Sequence, residues 1–74
     1  MKYYLAVCNE DGICVGFLKQ DDTVCTDADL LDKHPEILLS YKRKADVNEK
    51  VLQINLSHLL LPNGIPYRVV AVKA

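Results

Sequence analysis

The sequence predicts an α+β fold, a small two-layer domain in which an antiparallel sheet of three to four strands packs against one main helix. Three features carry this prediction. An Asn-x-Asp-Gly turn, Asn9 to Gly12, separates two apolar stretches and indicates an N-terminal β-hairpin. A Leu-rich stretch follows a capping-box-like start at 46–49 and indicates a helix. A final apolar run at 67–72 is typical of a strand.

The hairpin turn predicts a register for the first two strands, 2–8 and 13–18. A type I turn with Gly12 at positive φ places Cys8 opposite Cys14 at a non-hydrogen-bonded position. The same register pairs Val7 with Val15, Leu5 with Phe17, and Tyr4 with Leu18. Since strand side chains alternate, one face of this hairpin is expected to be the core. Its members are Tyr3, Leu5, Val7, Val15 and Phe17.

The middle of the chain carries weaker signals. Residues 23–26 predict a short third strand, and Thr26 followed by Asp29 resembles the start of a helical turn over 27–33 that Pro35 interrupts. Residues 36–41 fit either a second short helical piece or a buried extended segment.

The main helix is predicted to begin at Asp46 and to stop before Pro62 and Pro66. One side of it carries Val47, Val51, Leu52, Ile54, Leu56, His58 and Leu59. Residues 52–57 also alternate as a strand would, but the cap and the Leu-rich continuation favour a helix. The last strand shows little polar alternation, which predicts a strand that is covered on both faces or central in the sheet. The expected core is Leu5, Val7, Val15, Phe17, Val51, Ile54 and Val69.

Composition limits the function classes. The 74 residues suit a single domain, 1–74, and the 50% hydrophobic and 26% charged content is that of a globular chain rather than a disordered one. Three cysteines are too few for a disulfide scaffold. The longest apolar run, 59–61, is too short to cross a membrane, and the N-terminus lacks a signal peptide, so we expect a cytoplasmic protein.

The charges are distributed unevenly along the chain. Through Glu36 there are eight acidic residues and three lysines, whereas the later part has six basic residues and two acidic ones. The acidic half argues against general nucleic-acid binding, and the two-sided distribution suits a protein partner or self-association. Alternatively, the two halves complement each other within the fold.

No catalytic or metal-binding motif is recognisable. His34 and His58 lack the spacing of a Cys-His catalytic site, and we expect His34 to cap a turn and His58 to lie at the edge of the core. The spacing of Cys8, Cys14, Cys25 and His34 lacks the paired knuckles of a zinc site, and the acidic segment lacks the EF-hand pattern. The three glycines form no phosphate-binding loop. Cys8 and Cys14 are either two thiols on one sheet face or a disulfide pair.

The layout resembles small orphan proteins of bacteriophages and prophages. The matching pieces are Lys2-Tyr3-Tyr4, the turn from Asn9 to Gly12, the run Tyr41-Lys42-Arg43-Lys44, and Tyr67-Arg68-Val69-Val70. These pieces are structural, and no functional residue pattern accompanies them. Proteins of this kind that have a known role are mostly not enzymes, and some bind and block a host protein, such as a CRISPR nuclease or another defence factor. The resemblance therefore implies a protein-binding role of this type.

These observations predict a non-enzymatic protein-binding module without a cofactor, whose partner is a host protein or a second copy of the chain. The expected contact residues are Tyr41, Lys42, Arg43 and Lys44 on the basic side and Asp21, Asp22, Asp27 and Asp29 on the acidic side. The alternative is a nucleic-acid-binding accessory protein that uses the basic segment 41–50, with Lys50 and Arg68 nearby.

Overall fold

The strands and helices follow the predicted order, with one additional strand. The computed structural model of the chain describes residues 2–27, 29–61 and 63–74. Its elements are β1 (Tyr3–Cys8), β2 (Cys14–Leu18), β3 (Val24–Cys25), α1 (Leu30–Lys33), a 3-10 turn (Pro35–Ile37), β4 (Ser40–Tyr41), α2 (Lys44–Ser57) and β5 (Arg68–Lys73). All strand pairs are antiparallel, and α2 is the main helix, so the predicted α+β class is confirmed.

Strand β1 is the centre of the sheet. It pairs with β5 along its whole length, from Tyr3 opposite Lys73 to Cys8 opposite Arg68. Its start also pairs with β4, and its end also pairs with β2, which in turn pairs with β3. A strand has only two edges, so β2 and β4 must share the edge opposite β5. Within the described residues β5 therefore has one neighbouring strand, so it is not central. Its Val70 and Ala71 are exposed, so it is not covered on both faces either, and both alternatives of the prediction are wrong.

The hairpin turn is the one that the sequence predicts. Gly12 has a φ of 79°, its N–H donates to the Asn9 carbonyl at 3.0 Å, and the Asn9 N–H donates to the Ile13 carbonyl at 3.0 Å. The Asn9 side chain closes the loop by accepting from the N–H groups of Asp11 and Ile13, both at 3.0 Å. Cys8 pairs with Cys14, so the predicted register is confirmed at this position.

Beyond that pair the predicted register is wrong, because β2 contains a bulge. The ladder skips Val15, so that Val7 pairs with Gly16 and Ala6 pairs with Phe17. One inserted residue moves each later side chain of β2 to the other face of the sheet. Phe17 therefore leaves the α2 side, and Leu18 takes its place there.

Each face of the sheet carries a separate buried hydrophobic cluster. The cluster under α2 contains Leu5, Val7, Leu18, Val47, Ile54, Leu61, Tyr67 and Val69, with Val15 and Val51 partly buried against it. The second cluster contains Tyr4, Ala6, Phe17, Leu30 and Leu38. The predicted core is thus confirmed except for Phe17, which is 7% exposed but on the opposite face. Leu30 and Leu38 bring the segment after β3 back over that face.

Helix α2 is confirmed over the alternative strand, but its start and its buried side differ from the prediction. It begins at Lys44 after Arg43, which makes no side-chain cap, so the predicted capping box at Asp46 is wrong. Val47 and Ile54 are buried, whereas Leu52 and Leu56 point outward. At the end of the helix His58 has a φ of 51° and is exposed, so it does not lie at the edge of the core.

Residues 36–41 contain both of the predicted alternatives, a short helical piece and an extended segment. The 3-10 turn at Pro35–Ile37 is followed by extended chain that includes β4. Strand β3 is shorter than predicted, and α1 occupies the end of the predicted helical turns. The main helix ends at Ser57, before the predicted stop at 61–66, because His58 takes a left-handed conformation there. Ala28 of the predicted turns and Pro62 of the predicted stop lie outside the described residues.

Candidate functional site

Strand pairing brings cations from three distant parts of the chain together at one end of the sheet. Tyr3 of β1 pairs with Tyr41 of β4 on one side and with Lys73 of β5 on the other. Lys2 and Ala74 exchange two backbone hydrogen bonds of 2.9 Å each. Lys2 and Lys73 therefore lie near the predicted basic run. We call this surface the basic end; its exposed members are Lys2, Lys42, Arg43, Lys44 and Lys73.

The two other cations that the sequence assigned to this surface are placed differently. Arg68 pairs with Cys8 at the opposite end of β5. Lys50 lines a small cleft with Tyr41, but its Nζ lies 3.3 Å from a carboxylate oxygen of Asp22. Asp46 and Glu49 line the same cleft, which offsets part of the positive charge there. Three cations next to the first turn of α2 also oppose its dipole.

The four predicted acidic contact residues all have local structural partners. Asp21 accepts from the hydroxyl and the N–H of Thr23, which lowers the pKa of its carboxyl, and Asp22 pairs with Lys50. Asp27 accepts from the N–H of Asp29 at 2.9 Å, and Asp29 lies 3.8 Å from Lys33. These residues shape the turns around β3 and α1. All four remain exposed, so they can still contact a partner.

Helix α2 carries an exposed apolar patch. Leu52 and Leu56 lie one helical turn apart on α2 and are 62% and 67% exposed. They lie on the side of α2 away from the buried Val47 and Ile54. We call them the leucine pair. Single exposed leucines are common, but two adjacent ones form a patch that is typical of interfaces.

The outer edge of β5 lies beside α2 and is partly closed by it. The Asn55 side chain accepts from the Val69 N–H at 2.9 Å and donates to the Val69 carbonyl at 3.2 Å. Asn55 thus takes the place of a neighbouring strand at this residue. Since Lys2 and Ala74 form a hydrogen-bonded pair, alternation turns the backbone groups of Ala71 outward as well. A cleft of about 520 Å³ runs from this edge to the hairpin tip.

The histidines and cysteines form no catalytic arrangement among the described residues. Nδ1 of His34 lies 3.2 Å from a carboxylate oxygen of Glu36, next to the turn that His34 was expected to cap. Within the described ranges, no hydrogen bond joins a histidine to a cysteine. Burial and the neighbouring Cys14 raise the pKa of the Cys8 thiol. Among the described residues, no three His, Cys, Asp or Glu side chains are grouped so that they could hold a metal ion.

Comparison of the chain with known proteins finds no match. No protein-family model, no curated protein and no solved structure matches it. None of the helices in the described ranges is long and apolar enough to cross a membrane.

Sequence reasoning missed the leucine pair, the Asn55 contacts and two members of the basic end. One signal for the leucine pair was present: apolar residues at 52, 54 and 56 cannot share one face of a helix. If 52–57 is helical and Ile54 is buried, the two leucines must point away from the core. The positions of Lys2 and Lys73 depend on strand pairing between the chain ends, which leaves no local pattern.

Proposed function

We propose that this chain is a non-enzymatic protein-binding module whose contact surface is centred on the leucine pair. The observation that supports this most strongly is the exposure of Leu52 and Leu56 on the outer side of α2. Burial of a leucine side chain contributes about 1.5–3 kcal/mol, so two adjacent leucines can anchor an interface. Charged residues around such an anchor mainly set orientation and association rate.

The proposed partner is a host protein, which this chain inhibits or modulates. The resemblance to phage and prophage proteins supports this choice, and defence proteins, including CRISPR nucleases, are the first candidates. The basic end and the acidic turns would then contact oppositely charged parts of the partner. Charge reversal at Lys42 and Lys44, and separately at Asp27 and Asp29, tests whether either surface contributes.

The direct experiment is affinity capture from the host lysate after nuclease treatment. The test variant is L52K/L56K, and the matched control is Q53K/S57K, which adds the same charge with the same four-residue spacing at two exposed positions of α2 outside the row of Leu52 and Leu56. We expect wild type and control to retain the same partner and the test variant to lose it. Equal retention by both variants would exclude the leucine pair as the contact.

The alternative function is nucleic-acid binding, and the basic end favours it. Five exposed cations lie near Tyr41, namely Lys2, Lys42, Arg43, Lys44 and Lys73. The half-buried Tyr41 side chain packs against the cluster under α2, so phosphate contacts rather than base stacking would carry this binding. This alternative predicts an affinity that falls steeply with salt, because phosphate contacts release counterions. Salt-resistant capture after nuclease treatment would exclude it, and loss of capture on nuclease treatment would favour it.

A further inference from the structure

The base of the β1–β2 hairpin places two cysteines directly opposite each other. Cys8 is the last residue of β1, Cys14 is the first residue of β2, and the two are partners in the ladder. The next pair towards the turn is hydrogen-bonded, since the Asn9 N–H donates to the Ile13 carbonyl at 3.0 Å. Hydrogen-bonded and non-hydrogen-bonded pairs alternate, so Cys8 and Cys14 occupy a non-hydrogen-bonded pair.

This backbone position suits a disulfide. The Cα atoms of a non-hydrogen-bonded pair lie about 4.5 Å apart, within the range of about 4.4–6.8 Å that disulfides span. Both side chains point to the same face of the sheet because they are ladder partners. The bulge lies immediately beyond Cys14, and Val15 has no partner on β1. If Cys14 moves slightly towards Cys8, the neighbouring Val15 therefore loses no pairing with β1.

The two thiols differ in accessibility, which suits a two-step reaction. Cys14 is exposed, whereas Cys8 is partly buried. The third cysteine, Cys25, is the ladder partner of Phe17 on the far side of β2. It pairs with neither of the other two. Cys8 and Cys14 are thus a pair of neighbouring thiols, and Cys25 is a separate thiol.

We propose that Cys8 and Cys14 are a redox-active dithiol, a modification site that small disulfides of the glutathione type convert into an intramolecular disulfide. The Cys14 thiolate attacks one sulfur of oxidised glutathione, so a mixed disulfide forms and one glutathione leaves as its thiolate. The Cys8 thiolate then attacks the Cys14 sulfur, the mixed disulfide breaks, and the second glutathione leaves. The protein loses two electrons and two protons, and oxidised glutathione gains them.

The modification would act on a part of the surface that borders two clefts. A cleft of about 540 Å³ is lined by Asn9, Glu10 and Asp11 of the hairpin tip and also by Leu61 and Ile65. The same tip also lines the 520 Å³ cleft beside β5. A disulfide at the base of the hairpin would hold the tip in one orientation relative to both clefts. This inference is independent of the proposed protein-binding function.

The test uses the reduced 74-residue chain in glutathione buffers of increasing oxidised fraction. Free thiols are then alkylated and located by peptide mass spectrometry. We expect the three free thiols to fall to one, with Cys25 alkylated and Cys8 linked to Cys14. The C25S variant should form the same bond at the same buffer composition, while C8S and C14S should stop at a mixed disulfide with glutathione.

Other outcomes would overturn the proposal. A dominant disulfide that includes Cys25 would show that the ladder pair is not the reactive one. A chain that carries only mixed disulfides, or that keeps both thiols in an excess of oxidised glutathione, would show that the pair cannot close. The wild-type measurement needs no variant to fold, and circular dichroism of the reduced variants identifies any that do not.

Discussion

Replacing Gly16 by alanine tests the bulged register of the hairpin most sharply. Gly16 lies in β2 against the backbone of β3, and a Cβ atom there would be 1.9 Å from the carbonyl oxygen of Cys25. It would also be 2.8 Å from the carbonyl carbon of Cys25 and 2.9 Å from Cα of Thr26. These are backbone atoms, so no side-chain rotation relieves the contact.

The expected cost follows from the distance. Ordinary contact with a Cβ begins at 3.4 Å, so the Cys25 carbonyl would have to retreat by about 1.5 Å. That movement breaks the short β2–β3 ladder, in which Phe17 pairs with Cys25 and Leu18 pairs with Val24. Overpacking costs about 1–3 kcal/mol, and each lost hydrogen bond costs about 0.5–1.5 kcal/mol. We expect Gly16→Ala to lower the free energy of unfolding by about 2–5 kcal/mol, a large part of the total for a small domain.

Urea denaturation followed by circular dichroism measures this change, and Gly12→Ala is the control. Gly12 has open space around its Cβ position but a φ of 79°, so its replacement should cost only about 1–2 kcal/mol of backbone strain. In a strand without a close neighbour, alanine is more favourable than glycine by about 0.5–1 kcal/mol. An unchanged or increased stability of Gly16→Ala would therefore refute the packing of β2 against β3.

Three further predictions follow from individual contacts. Phe17→Ala should cost about 3–5 kcal/mol in urea denaturation, because Phe17 is buried in the second cluster. Asn55→Ala should cost about 1–3 kcal/mol and speed amide exchange selectively at Val69, which loses both side-chain partners. The pKa of Asp21, measured by NMR, should lie below its usual value because Thr23 donates to the carboxylate, and Thr23→Val should raise it. Since the folded pKa is the lower one, this contribution to stability is present above the unfolded pKa and is lost as the pH falls through the folded pKa.

The local part of the fold could be predicted from the sequence. The residues of the turn at 9–12 determine its conformation, since the Asn9 side chain accepts hydrogen bonds within the loop and Gly12 adopts the positive φ. Cys8 opposite Cys14 follows directly from that turn. The bulge at Val15 does not, because nothing within the hairpin requires it. Gly16 must approach β3, and that contact is with residues nine and ten positions later in the chain.

The candidate surfaces were predictable only in part, for the same reason. The run Tyr41–Lys44 is visible as a sequence cluster, but its union with Lys2 and Lys73 depends on the pairing of β1 with β4 and β5. The acidic residues were visible too, yet their turn contacts depend on exact backbone geometry. The leucine pair was missed because Leu52 and Leu56 were placed on the same side of α2 as Ile54.

Titration calorimetry of the captured partner with the purified chain tests the central claim most directly. Burial of the leucine pair predicts a negative heat-capacity change on binding and an affinity that changes little with salt. It also predicts that L52K/L56K abolishes the heat signal while Q53K/S57K keeps it. A binding constant whose logarithm falls steeply and linearly with the logarithm of salt concentration, together with binding that survives L52K/L56K, would contradict a protein interface centred on Leu52 and Leu56.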